Sequence, residues 1–194
     1  MKKFLALVFI VAIALHANPI ELLGNGSFEK VENDKLLGWS VQGNAGTLEI
    51  VNDAHSGKNA ARISTINKKA CIFFTSYSTP GITKSKSSIP VGKNAKYHVS
   101  FWAKGKGSFY FWIPLLNGFK QVGGKRSKTM ALTPEYKKYE FVFTADAPEA
   151  KGLRLDIFCE GYTETQITID DASLTFDPDE NLGIDPCLQW AKQP

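Results

Sequence analysis

From residue 18 onward, apolar and polar positions alternate with period two in short runs, and helical spacing is nearly absent. Clusters of Gly, Pro, Asn and Ser separate the runs. A backbone that turns successive side chains to opposite faces produces this alternation, so the pattern predicts an all-β chain folded as an antiparallel β-sandwich. The clearest predicted strands are 47–51, 60–64, 70–75, 97–103, 108–113, 139–144, 153–159 and 166–176, with loops at 52–59, 79–96, 117–127 and 145–151.

The alternation also assigns faces. Tyr97, Val99, Phe101 and Ala103 share one side of their strand, and His98, Ser100, Trp102 and Lys104 the other. Leu153, Leu155, Ile157 and Cys159 form an apolar row, against a mixed row of Arg154, Asp156, Phe158 and Glu160. One inward and one outward row per strand is what a sandwich needs. Cys159 then belongs in the core as a small apolar filler rather than in a disulfide.

Residues 1–17, MKKFLALVFIVAIALHA, break the pattern: two lysines, an apolar run and a small residue at Ala17. This is the layout of a secretory signal peptide, and its apolar run falls short of the ~20 residues a spanning helix needs. The expectation is export to a secreted or periplasmic location, with no membrane partner. One domain is expected over 18–176, followed by an acidic, proline-bearing tail over 177–194 whose Leu188 and Trp190 pack back onto it. The formal charge is +4, and removing Lys2 and Lys3 leaves +2. Lysines scattered among acids read as solvated loops and exclude a nucleic-acid footprint. Cys71, Cys159 and Cys187 allow at most one bridge, and their spacings match no zinc motif.

Six stretches then fall in a recognisable order: NGSFE (25–29), GW (38–39), AHSGKNAARI (54–63), VGKNAKYHVSFWAKG (91–105), YKKYEFVFTA (136–145) and ITIDDASL (167–174). Over about residues 22–176 the chain resembles carbohydrate-binding modules of the cellulose- and xylan-binding type, families four, nine and twenty-two, which share a galactose-binding-like jelly roll. It departs from them in a longer stretch over 72–88 and in its tail. The resemblance implies a structural calcium between the first and last strands. Its glutamate matches Glu29 and its first paired aspartate matches Asp170, with main-chain carbonyls around Ser27 and Lys58 completing the shell. Ca²⁺ is a hard ion that takes 6–8 oxygens from carboxylates, carbonyls and waters, which suits such a set. The alternative is that Glu29 and Asp170 cap loops or pair with Lys58. Asn25-Gly26-Ser27 also fits the N-x-S glycosylation acceptor, ranked behind calcium and a plain turn.

A catalytic reading finds little material. His55 and His98 have no Ser, Cys or Asp at triad spacing, and no G-x-S-x-G or H-E-x-x-H occurs. Asp156 and Glu160 lie ~13 Å apart if on one strand, too far for either glycosidase geometry. Binding is better served. Sugar rings stack their C–H faces on aromatic planes while their hydroxyls need polar partners. The candidates are Trp102, Phe158, either Tyr110 with Trp112 or Phe109 with Phe111, and the polar Arg154, Asp156 and Glu160. In the xylan-binding relatives an aromatic-x-Glu before the paired-Asp strand contacts sugar, and Phe158-Cys159-Glu160 stands there. The expected function is non-catalytic binding of a polysaccharide or oligosaccharide of β-glucan or xylan type, alongside a separate glycoside hydrolase or cell-surface complex. The alternative is a secreted adhesive or protein-interaction module without a sugar cleft.

Overall fold

The computed structural model describes residues 18–42, 44–67, 69–75, 89–160, 164–177 and 180. The expected signal segment, Cys187, Leu188 and Trp190 lie outside the described residues.

Sixteen strands follow in chain order. The first eight are β1 (Ile20–Glu21), β2 (Val31–Glu32), β3 (Lys35–Leu36), β4 (Trp39–Val41), β5 (Gly46–Val51), β6 (Ala60–Thr65), β7 (Cys71–Thr75) and β8 (Ile89–Pro90). Then come β9 (Lys96–Lys106), β10 (Ser108–Asn117), β11 (Lys120–Arg126), β12 (Met130–Ala131), β13 (Lys137–Thr144), β14 (Gly152–Leu153), β15 (Asp156–Cys159) and β16 (Gln166–Phe176). Every pairing among them is antiparallel. One sheet runs β13-β9-β16-β6-β5, with β1 also on β16. The other runs β4-β7-β15-β10-β14-β8, with β11 and β12 also on β10. There is no helix among the described residues, hence none long and apolar enough to cross a membrane.

The inward rows meet between the sheets. Phe101 of the first sheet packs on Phe109 and Phe111 of the second, with ring centroids 5.2 and 4.9 Å apart. All three are fully buried. This resolves the choice on β10: Phe109 and Phe111 are core, and Tyr110 and Trp112 face outward. Cys159 is in the core as expected, and its register partner across the ladder is Cys71.

Two expectations are corrected. The predicted loop at 117–127 contains β11, an edge strand whose KQVGGKR sequence hides its alternation behind two glycines and three charges. The predicted strand at 153–159 is interrupted at Arg154 and Leu155, although β14 and β15 keep one register on β10. The break lies opposite Pro114, which accepts from the Arg154 amide but has no N–H to return.

The first motif docks against the last strand. The Ala172 amide donates to the Gly26 carbonyl, and a β-carbon at Gly26 would sit 1.7 Å from the Ala172 oxygen. Only glycine lets the two backbones come this close. β16 bulges between Asp170 and Ser173, with Asp171 at φ 47°, so Asp170 turns inward and Asp171 outward.

Candidate functional site

Asn25 is buried and fully engaged. Its Nδ2 donates to the carbonyls of Lys30 and Leu37, its Oδ1 accepts from the Lys30 amide, and its own carbonyl accepts from Trp39 Nε1. With its amide nitrogen committed inside the turn, it is a structural residue and not a glycan acceptor.

Glu29 and Asp170 grip one loop, 55–59, from two sides. Glu29 Oε1 accepts from the amides of Lys58 (2.7 Å) and Asn59 (2.9 Å). Asp170 Oδ2 accepts from the amides of His55 and Ser56, both at 2.8 Å, and its Oδ1 from the Asp171 amide at 2.7 Å. The Asn59 and Lys58 amides hold the Glu29 carboxyl below its ordinary range. Burial pushes Asp170 above its ordinary range, only partly opposed by those amides. Gly57, at φ 63°, lies against Glu29 so tightly that a β-carbon there would meet Oε1 at 2.5 Å. The structure thus brings Glu29, Lys58 and Asp170 to one place, with exposed Ser27 on the adjoining turn.

These carboxylates are hard oxygen donors. Among the described residues, Asp170 Oδ1 and Glu29 Oε2 each accept a single hydrogen bond and keep lone pairs, so their chemistry suits Ca²⁺. Among the described residues no group of three or more His, Cys, Asp or Glu gathers as a metal cluster, so carbonyls and water would supply the remaining ligands.

The outer face of the second sheet gathers six of the seven candidate sugar-binding residues. Tyr110 and Phe158 are register partners on β10 and β15, and their rings stack at 4.7 Å and 13°. Arg126, on β11 at the far side of β10, sets its guanidinium 3.9 Å over the Tyr110 ring. Two groups that close cannot share a face, so Tyr110 is sandwiched and offers its edge and hydroxyl outward. The half-exposed Trp112 remains for a ligand ring, while Phe158 has Ile72 of β7 as its register neighbour on the side away from Tyr110 and offers only its exposed edge. Trp112 lies across Gly124, where a β-carbon would come within 2.5 Å of the indole.

Polar groups frame this platform. Glu160 Oε2 accepts from the Ser108 hydroxyl (3.0 Å) and Oε1 from the Thr129 hydroxyl (2.9 Å), with Arg126 at 3.6 Å. Its position is therefore fixed before any ligand arrives. Arg154 makes a two-pronged pair with Asp156, at 2.6 and 2.7 Å, and covers the Phe74 ring at 4.7 Å. Asp156 is fully buried, and burial raises its carboxyl against the pull of Arg154. It is thus a support for Arg154 rather than a surface contact.

Trp102 does not join the group. It is on β9 in the first sheet, on that sheet's outer side, stacked on His55 at 4.0 Å and 11°. His55 is held in turn by Asp171 (2.8 Å), and Tyr136 meets it edge-on. Alternation correctly put Trp102 on an outward row but could not say which sheet would own that row. Sequence reasoning also missed Arg126, Ser108, Thr129, Phe74 and Gly124. Only Phe74 carried a signal, as an aromatic outside the core row of its strand.

The carbohydrate binding domain family profile matches residues 21–165. No curated protein matches the sequence. Among solved structures, the enzymatically active domain of tailspike protein 4 from bacteriophage CBA120 superposes with TM-score 0.63 at 15% identity, over 81% of this chain and 21% of that one. The chain thus spans about a fifth of that protein's length. The xylan-binding family 22 module of Paenibacillus barcinonensis Xyn10C gives 0.58 at 14% identity, over 82% and 96%. The family 61 module TmCBM61, solved with β-1,4-galactotriose, gives 0.51 at 18% identity, over 81% and 99%. At these identities the likeness is one of fold.

Proposed function

Because the chain belongs to the carbohydrate-binding domain family, we propose that the outer face of its second sheet binds a β-glycan chain of glucan or xylan type without cleaving it. One observation carries this reading: a stacked Tyr110–Phe158 pair beside a carboxylate, Glu160, held in place by two hydroxyls. A sugar ring needs an apolar plane for its C–H face and fixed polar partners for its hydroxyls. Loose partners would have to be ordered on binding, at a free-energy cost. Trp112 supplies the plane with the exposed edge of Phe158 beside it, Glu160 accepts, and Arg126 donates. Arg154 closes the other end of the row. A catalytic role has no support in this arrangement, since Asp156 is committed to Arg154 and Glu160 to Ser108 and Thr129.

The reading extends to an exported protein whose Ca²⁺, held by Glu29 and Asp170 with carbonyls near Ser27 and Lys58, fastens loop 55–59 between the first motif and the last strand. The ion would supply fixed positive charge there and no chemistry. A separate glycoside hydrolase or cell-surface complex is the expected partner. The test is retardation in gels containing β-glucan or xylan, with calcium and again with chelator. Retardation by at least one glycan, lost in Phe158→Ala, is the expected result; a wild type ignored by every glycan refutes it.

The second reading, an adhesive or protein-interaction module, draws on the Tyr110 sandwich, because ring faces already occupied are lost to sugar stacking.

A further inference from the structure

We propose that Cys71 and Cys159 are a covalent cross-link site, oxidised by a disulfide-bearing co-reactant to a bond that locks β7 to β15. The two residues stand directly opposite each other on the last rung of that ladder, and both are buried, unbridged and in thiol-to-thiol contact. The type of rung follows from its neighbours. The Thr75 amide donates to the Leu155 carbonyl, so Leu155 and Thr75 form a hydrogen-bonded pair. Rungs alternate, which makes Ile157 with Phe73 the next such pair, and Cys159 with Cys71 the one after. Opposed α-carbons in pairs of this type are ~5.5 Å apart, within the disulfide range, whereas their β-carbons, at ~5.5 Å, must draw together by about 1 Å to reach the ~3.5–4.5 Å of a disulfide.

The opposite sheet makes room for the Cys71 sulfur. Gly46 of β5 lies against Cys71, and a β-carbon there would come within 2.8 Å of Sγ. The Cys71 sulfur thus fills the space above a glycine of the opposite sheet, and Cys159 is its neighbour along β15. The rung lies where β7 begins and β15 ends, so it opens more readily than the ladder's middle. The hydrogen bond from Cys159 lowers the Cys71 thiol and raises its own, which makes Cys71 the first nucleophile.

The chemistry balances with an exogenous disulfide, RSSR. Cys71 thiolate attacks one sulfur, forming a mixed disulfide and releasing RS⁻. Cys159, losing its proton to solvent or to that RS⁻, attacks Cys71 Sγ and expels the second RS⁻. Two protein hydrogens end on two RSH, and the protein is two hydrogens lighter. The cross-link would close a loop between residues 88 apart in sequence (159 − 71) and tie together the strands that carry Phe74 and Phe158.

The test is to equilibrate the purified chain with oxidised glutathione, alkylate it in denaturant, and map its peptides. The expected result is one Cys71–Cys159 bridge, with a melting temperature about 5–15 °C above that of the reduced protein. The same shift should appear in Cys187→Ser and vanish in Cys71→Ser and Cys159→Ser. Full alkylation of both thiols after oxidation, or a bridge to Cys187, overturns the proposal. So does an equal shift in the Cys71→Ser and Cys159→Ser variants.

Discussion

Replacing Asp170 separates hydrogen bonding from charge in the latch that holds loop 55–59. The Asp170 carboxylate accepts three amide hydrogens, from His55, Ser56 and Asp171, and its side chain is fully buried. Asp170→Ala strips all three. Each buried donor left unpaired costs ~1–3 kcal/mol, and the His55 and Ser56 amides are near enough to solvent to recover part of it, so the sum is about 3–4 kcal/mol. Asp170→Asn keeps an oxygen for His55 and Ser56 and loses only the Asp171 bond. It also removes a charge that burial already disfavours, so it costs only about 1 kcal/mol. For a domain of this size, 1 kcal/mol shifts the melting temperature by ~2–4 °C. Expected falls are therefore about 6–16 °C for Asp170→Ala and about 2–4 °C for Asp170→Asn. Thermal melts in chelator isolate the amide cage from any metal contribution. The reasoning fails if Asp170→Ala melts within 2 °C of wild type (about the smallest shift 1 kcal/mol gives), or if Asp170→Asn falls as far as Asp170→Ala.

Adding calcium should raise the wild-type melting temperature and leave that of Glu29→Gln/Asp170→Asn unchanged, read by the same melts. Gly124→Ala should push the Trp112 indole off its seat, weakening retardation in a glycan gel and shifting tryptophan emission while barely moving the melting temperature. Glu160→Gln should change the ranking among glycans in that gel more than it changes stability, because the amide replaces an acceptor by a donor. Burial raises Asp156 above 3.8, so the folded protein keeps that proton at pH values where the unfolded chain has lost it. Its contribution is complete below pH 3.8 and is lost as pH rises through the raised value. The stability of wild type relative to Asp156→Asn should therefore shrink as pH rises from below 3.8 through the raised value in urea titrations.

Period-two alternation was enough to establish the fold class, the core rows and five of the longer strands nearly to their ends, because the pleat writes burial directly into sequence, while β9 and β10 run three and four residues past their predicted stops. It placed Phe101, Ile157 and Cys159 inward and Trp102, Phe158 and Glu160 outward, which the structure shows. The short strands β1 to β4 and β12 carry too few residues to show a period, and the edge strand β11 has solvent on its polar positions and glycines between them. Tertiary structure decided everything that depends on which strands become neighbours. Outwardness is a property of one strand, whereas a site is a property of a sheet: β10, β15 and β11 adjoin, so Tyr110, Phe158 and Arg126 stack. β9 belongs to the other sheet, so Trp102 meets His55 instead. Cys71 and Cys159 likewise became register partners only through pairing across 88 residues (159 − 71). No local pattern encodes such a pairing, because it is selected when the inner faces of both sheets are buried against each other.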